Sequence, residues 1–216
     1  MPLRNRVDPF GEIHAAGARG LFTGNRGVIH DPGSRTLLKR RWSTRAWIIC
    51  VCDFRGRRRD VMGRNAPSGN AGWTELFFLD EVTALAAGHR PCFFCRREKA
   101  KEYADRFGKA FGVARPKVAE MDERLHRERL ASGGRMITLD EETLEQLPDG
   151  VMVFDGGAAY ALRGGQALRW SFSGYDRPAP LGDELQCLTP ATTLAVLRGG
   201  YKPAWHSSAV IVRDKS

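Results

Sequence analysis

Cys92 and Cys95 lie in the run GHRPCFFCRR. A Cys-x-x-Cys spacing lets one tight turn offer two thiolates to a single metal ion, and a second pair of ligands completes the zinc tetrahedron. Cys50 and Cys52 can supply that pair, because residues i and i+2 of a strand point to the same face. His30 and His89 are further candidate ligands. The same cysteines admit three other readings. A Cys-x-x-Cys at a helix N-terminus has a depressed thiol pKa suited to redox exchange, although that motif belongs after the first strand of a βαβ unit and here a short helix precedes it. A neighbouring metal, Arg or His could activate one thiolate as a nucleophile. The cysteines could also be buried and inert, which suits Cys187 best.

Charge adds a second theme. The 216 residues carry a net +9, and residues 1–64 hold 14 Lys or Arg against 5 Asp or Glu, so the first third contains the whole excess. A localised positive field points to phosphate, and hence to nucleic acid, with DNA the expected form. The residues placed to meet it are Arg35, Lys39, Arg40, Arg41 and Arg45, followed by Arg55, Arg57, Arg58 and Arg59 at a turn. Guanidinium groups match phosphate oxygens bidentately. A solvated basic face, or an acidic protein partner, accounts for the same charge. His30, in a Gly- and Arg-rich loop beside Asp31, is also the candidate base of a metal-dependent nuclease, activating water for phosphodiester attack. Asp122 and His126 share a helix face at i and i+4, where a solvated charged helix is the plainer reading. Alternating Leu168, Trp170 and Phe172 read first as the core face of a strand, and Trp170, Phe172 and Tyr175 near Arg169 and Arg177 second as base-stacking rings.

The elements that must position these groups follow from pattern. Residues 17–31 read as loop with short strands, and WIICVCDF (47–54) as a strand with Ile48, Cys50, Cys52 and Phe54 on one face. Residues 63–72 are a polar loop, and 73–79 a short apolar strand. Asp80 suits the N-cap of a helix over 81–87 that Gly88 ends. Helices are predicted over about 92–107, 116–131 and 140–147. VMVFD, AYALR and ALRWSF, separated by Gly-Gly turns, predict a three-stranded antiparallel meander. Residues 189–197 predict a helix with Pro190 at its first position, and the tail from 201 reads as loop with at most one strand.

Residues 75–97, ELFFLDEVTALAAGHRPCFFCRR, resemble the second half of the Ada-type zinc-binding domain of bacterial methylphosphotriester DNA repair proteins. That pattern is an apolar strand, a short Ala-rich helix ending in Ala-Ala-Gly, and then an Arg-Pro-Cys-x-x-Cys turn. The resemblance implies zinc bound by four cysteines, contact with DNA phosphates, and one thiolate that accepts a methyl group. By position, Cys92 and Cys95 would be zinc ligands, and Arg90, Arg96 and Arg97 would lie close to phosphate. The first half departs from the family: where it has Cys-x-x-x-Cys or His-x-x-x-Cys, this chain has His30 and Ser34. Either Cys50 or Cys52 joins His30 to complete the site, or the metal has been lost, and the methyl acceptor has no clear counterpart.

The expectation is therefore an α+β protein. A small mixed zinc-type module spans residues 1–110, and helices with an antiparallel meander span 111–216. It is expected to be cytoplasmic, without a membrane segment, to bind zinc and nucleic acid, and to serve DNA repair or damage response.

Overall fold

The computed structural model describes residues 1–56, 59–139, 144, 146–182 and 185–211. It is an α+β fold built on two six-stranded sheets. The first takes strands from the N-terminal half: β1 (Arg4–Val7), β2 (Ile13–Ala15), β3 (Phe22–Asn25), β6 (Ile48–Val51), β7 (Leu76–Phe78) and β8 (Arg90–Pro91), in the order β2-β1-β7-β3-β6-β8. The β1/β7 and β6/β8 pairs are parallel and the others antiparallel. A two-stranded ribbon, β4 (His30–Asp31) with β5 (Thr36–Leu37), lies between β3 and β6 in the chain. The zinc-type module expected from sequence is thus a full mixed sheet.

The first sheet alternates cleanly. Ile49, Leu76 and Phe78 are buried in the core, while Cys50, Glu75 and Phe77 face the other way, toward a cavity. Gly24 on β3 allows the close strand packing. A Cβ there would stand 2.1 Å from the Ile48 carbonyl oxygen, so no larger residue fits.

The second sheet contains the predicted meander: β10 (Met152–Asp155), β11 (Ala158–Arg163) and β12 (Gln166–Ser171), each antiparallel to the next across a glycine turn. β13 (Gly174–Pro178) extends one edge, and β14 (Leu185–Cys187) with β9 (Ile137–Leu139) extends the other. Trp170 on β12 gives its ring N–H to Thr83 Oγ1 at 3.0 Å and packs on Phe172, in keeping with the core reading of that strand.

Helix α1 (Glu81–Ala86) stands between the sheets, and all six of its residues are buried. Val82 and Ala86 pack with Met152, Ala161 and Leu168 of the second sheet, whereas Ala84 and Leu85 join the cluster containing Leu76, Phe78 and Tyr103. A helix covered on every side must be apolar or fully hydrogen-bonded all round. Asp80 caps it as predicted, accepting from the Thr83 N–H at 2.9 Å, and Gly88 at φ +79 ends it. The other oxygen of Asp80 accepts from Tyr175 Oη and from the His206 N–H, both at 3.0 Å. Glu81, fully buried, accepts from both Arg96 terminal nitrogens at 2.8 Å, from Tyr201 Oη at 2.5 Å and from the Ala204 N–H at 2.9 Å.

Among the described residues there are three longer helices: α2 (Arg97–Phe111), α3 (Val118–Glu128) and α4 (Ala191–Arg198). Helix α2 starts five residues later than the pattern suggested, because residues 92–96 form the cysteine turn. The helix expected over 140–147 falls mostly outside the described residues. Glu128 of α3 accepts from the Thr192 N–H and hydroxyl at 2.7 and 2.8 Å, satisfying the open N-terminus of α4. A boundary at 110 would cut α2, and the main apolar cluster runs from Val7 through Tyr103 and Met121 to Val153 and Tyr201. The two halves share one core.

Trp47 is fully buried, with the Arg26 and Arg129 guanidinium carbons 3.9 and 4.2 Å from its ring centre. His89, also fully buried, packs against Trp47 and Phe78. Burial, reinforced by Arg26 and Arg129, holds the His89 imidazole well below its ordinary pKa. The folded protein therefore keeps His89 neutral where the unfolded chain protonates it, and stability is lost as pH falls below the ordinary imidazole range, near 6.5. Between about pH 6 and 5 the unfolding free energy should fall by up to roughly 1.4 kcal/mol per pH unit from this group. Urea titrations across that range should show the slope in the wild type and a shallower one in His89→Gln, and equal slopes would contradict the assignment. Glu81→Gln removes one partner of a buried ion pair and should cost about 3–5 kcal/mol in the same measurement.

Candidate metal centre

Strand β6 carries Cys50, paired across to Thr23 of β3. On its other side β8 runs parallel, Ile49 opposite Pro91, and the Cys92 N–H continues the ladder to the Ile49 carbonyl at 3.0 Å. Cys92 is thereby set beside Cys50. The chain then turns sharply: the Arg96 N–H donates to the Cys92 carbonyl at 3.0 Å, and the Phe94 N–H points at Cys92 Sγ at 3.4 Å. The turn returns Cys95 to the same point. The sulfurs of Cys50, Cys92 and Cys95 lie within 4.8 Å of one another, and no fourth His, Cys, Asp or Glu donor joins them at that spacing among the described residues.

This donor set fits a thiophilic divalent ion. Zinc–sulfur bonds of about 2.3 Å in a tetrahedron put sulfurs roughly 3.8 Å apart, so only small side-chain shifts are needed to close on a metal. Without metal, Cys92 is the sulfur favoured as thiolate, and Cys50 and Cys95 are pushed up toward the thiol. Thiol hydrogen bonds from Cys50 and Cys95, with the backbone N–H groups of Cys95 and Phe94 behind them, push Cys92 down to about 2. Cys50, the donor in that arrangement and mostly buried, is pushed far up. Helix α2 begins two residues after Cys95, and its N-terminus adds favourable dipole charge beside the thiolates.

Two buried ion pairs bracket the turn. Arg90, two residues before Cys92, is bidentate to Asp122 of α3 at 2.8 and 2.8 Å. Arg96, one residue after Cys95, is bidentate to Glu81. Both guanidiniums are less than a tenth exposed. The expectation that Arg90 and Arg96 face DNA phosphate is therefore corrected: their charges are spent inside the protein, fixing the cysteine turn to α1 and α3. Asp122 is accordingly an ion-pair partner, and His126 packs on Trp42.

The remaining candidates separate. Cys52 lies just beyond the end of β6 and is exposed, its Sγ nearest the Leu21 carbonyl at 3.5 Å. It is outside the sulfur group. His30 is buried, with Nδ1 2.7 Å from Thr74 Oγ1 and Nε2 3.3 Å from the Gly63 carbonyl, so both nitrogens are occupied away from the cysteines. Fully buried His89 is likewise apart from them. Cys187 is buried in the second sheet, and burial pushes its thiol up to about 11. Among the predicted phosphate contacts, Lys39, Arg40, Arg55 and Arg97 are exposed and Arg41 half-buried. Exposed Arg35 and Arg45 pair with Asp60 and Glu123, and Arg59 with Glu75. Arg57 and Arg58 lie outside the described residues.

All three cysteines line one side of a cavity of about 660 Å³ over the outer face of the first sheet. Its floor includes Thr23 and Asn25 from β3 and Phe77 from β7, with Glu75 next to that strand. The segment between β6 and β7 contributes Phe54, Arg59, Asn65 and Trp73, and the cysteine turn contributes Phe94. Glu75 is 4% exposed and held by Arg59 Nε at 2.6 Å and the Met62 N–H at 2.8 Å. The apolar reading of 73–79 overlooked this face. The signal was present in WTELFF, where Trp73, Glu75 and Phe77 alternate with buried Thr74, Leu76 and Phe78.

Compared with protein-family models, curated proteins and solved structures, the chain matches none. No helix among the described residues is long and apolar enough to cross a membrane.

The geometry separates the cysteines by substitution. Cys50→Ser, Cys92→Ser and Cys95→Ser should each abolish binding of one zinc per chain, measured by elemental analysis of purified protein. Cys52→Ser and His30→Gln should retain it. Zinc kept in Cys50→Ser but lost in Cys52→Ser would refute the site.

Proposed function

We propose that the chain is a zinc-binding protein that acts on nucleic acid, with Cys50, Cys92 and Cys95 as the protein ligands and a fourth position on the cavity side. The observation that carries the metal is the convergence of three sulfurs from two separate segments, β6 and the 92–95 turn, to within 4.8 Å. Structural zinc sites close with four protein ligands, whereas sites with three leave a position for water or another ligand. The repair or damage-response reading rests on the Ada-like resemblance over 75–97, whose strand, short helix and cysteine turn correspond here to β7, α1 and residues 92–95.

Support for nucleic acid comes from charge. The excess of nine positive charges is confined to residues 1–64, where Lys39, Arg40 and Arg55 are exposed, and exposed Arg97 lies two residues after Cys95. The nuclease alternative needs a free imidazole at His30, and its hydrogen bonds to Thr74 and Gly63 favour a structural part instead.

Binding of a DNA duplex should weaken steeply between about 50 and 200 mM salt, because each neutralised phosphate contributes a log–log slope near −0.9. Replacing Lys39 and Arg40 together by Ala should lower that slope by roughly 2. Fluorescence anisotropy titrations at several salt concentrations provide the measurement, and a salt-independent affinity would reject nucleic acid as the partner.

A further inference from the structure

We infer that the cavity beside the cysteine centre receives one unpaired base of a single-stranded nucleic acid. The inference rests on the nucleic-acid reading above and gives it a ligand chemistry. A cavity of about 660 Å³ is in the range of small-ligand pockets and far too small for a duplex. Its walls are flat. Arg59 lies over the Trp73 ring at 4.1 Å, and the Phe54 and Phe94 rings are 5.1 Å apart at 60°. Aromatic rings and guanidinium planes are the surfaces on which unstacked bases settle.

The polar groups suit a base edge. Asn25, whose Oδ1 accepts from the Gly27 N–H, brings its amide N–H groups to the cavity, and the Thr23 hydroxyl, which donates to the Leu76 carbonyl, keeps acceptor capacity there. The Arg59 Nη2 atom is buried and has no hydrogen-bond partner among the described residues. A base in a duplex has these edges occupied by its partner; a base in a single strand offers them.

Charge decides which end of a nucleotide enters. Glu75 and Arg59 neutralise each other. Three thiolates on a divalent ion would leave one negative charge beside the cavity. A phosphate is repelled from such an interior, and a neutral base is not. Exposed Arg55, its guanidinium over the Phe54 ring at 5.1 Å, keeps the backbone phosphates at the rim.

The test uses the full zinc-loaded chain and three fluorescein-labelled probes of equal length: a single strand, the same strand in a duplex, and a single strand with abasic units in place of its central nucleotides. Stacking contributes about 1–3 kcal/mol per base, so the abasic strand should bind roughly 5- to 150-fold more weakly than the intact one. Trp73→Ala should remove most of that difference, and so should Phe94→Ala, an exposed ring on the same cavity, which keeps the test valid should the Trp variant fail to fold. Zinc content and circular dichroism report folding. Equal affinity for intact and abasic strands would overturn the pocket while leaving nucleic-acid binding in place. No binding of any probe would overturn both.

Discussion

The cysteine turn is held by two buried guanidinium–carboxylate pairs, and the architecture depends on them. Arg96 meets Glu81 at the start of α1, and Arg90 meets Asp122 in the middle of α3. A Cys-x-x-Cys turn on its own is a short, flexible segment. Pinned two residues before its first cysteine and one residue after its second, it has little freedom to move relative to β6, where Cys50 waits. Breaking such a pair leaves an uncompensated buried charge, so the brackets are expensive to lose. Their residual hydrogen-bonding capacity is also used. Glu81 gathers Tyr201 and Ala204 from the end of the chain onto the same carboxylate. The C-terminal segment is thereby tied to the element that positions the centre.

Buried polar groups do similar work across the interior. Asp80 joins the N-terminus of α1 to Tyr175 on the second sheet and to His206 in the tail. Glu128 joins α3 to α4. In the same interior, Arg26, Arg129 and His89 surround Trp47, where cations rest on an aromatic face rather than on carboxylates. The Asp80, Glu128 and Arg129 contacts link segments more than sixty residues apart, and both apolar clusters draw on both halves of the chain.

Much of this was legible in the sequence where the signal was local. The alternation in WIICVCDF set Cys50 on the side that faces the cavity, Asp80 and Gly88 marked the ends of α1, and the glycine pairs marked the meander. The misreadings have a common cause. An arginine beside a cysteine motif has the same local sequence whether its partner is a phosphate outside or a carboxylate 15 or 32 residues away inside. Choosing Cys50 over Cys52 and His30 likewise required the pairing of β6 with β8, a contact made by only two short segments of distant sequence. Glu75 was hidden for another reason. One acid in an apolar strand reads as an interruption until the strand's second face is known to border a cavity.

Zinc held by Cys50, Cys92 and Cys95 would keep one position for a non-protein ligand. X-ray absorption at the zinc edge of the metal-loaded protein tests it most directly. Three sulfur neighbours at about 2.3 Å and one oxygen or nitrogen neighbour at about 2.0 Å are expected. A shell of four sulfurs, or one without sulfur, would rule out the three-cysteine centre.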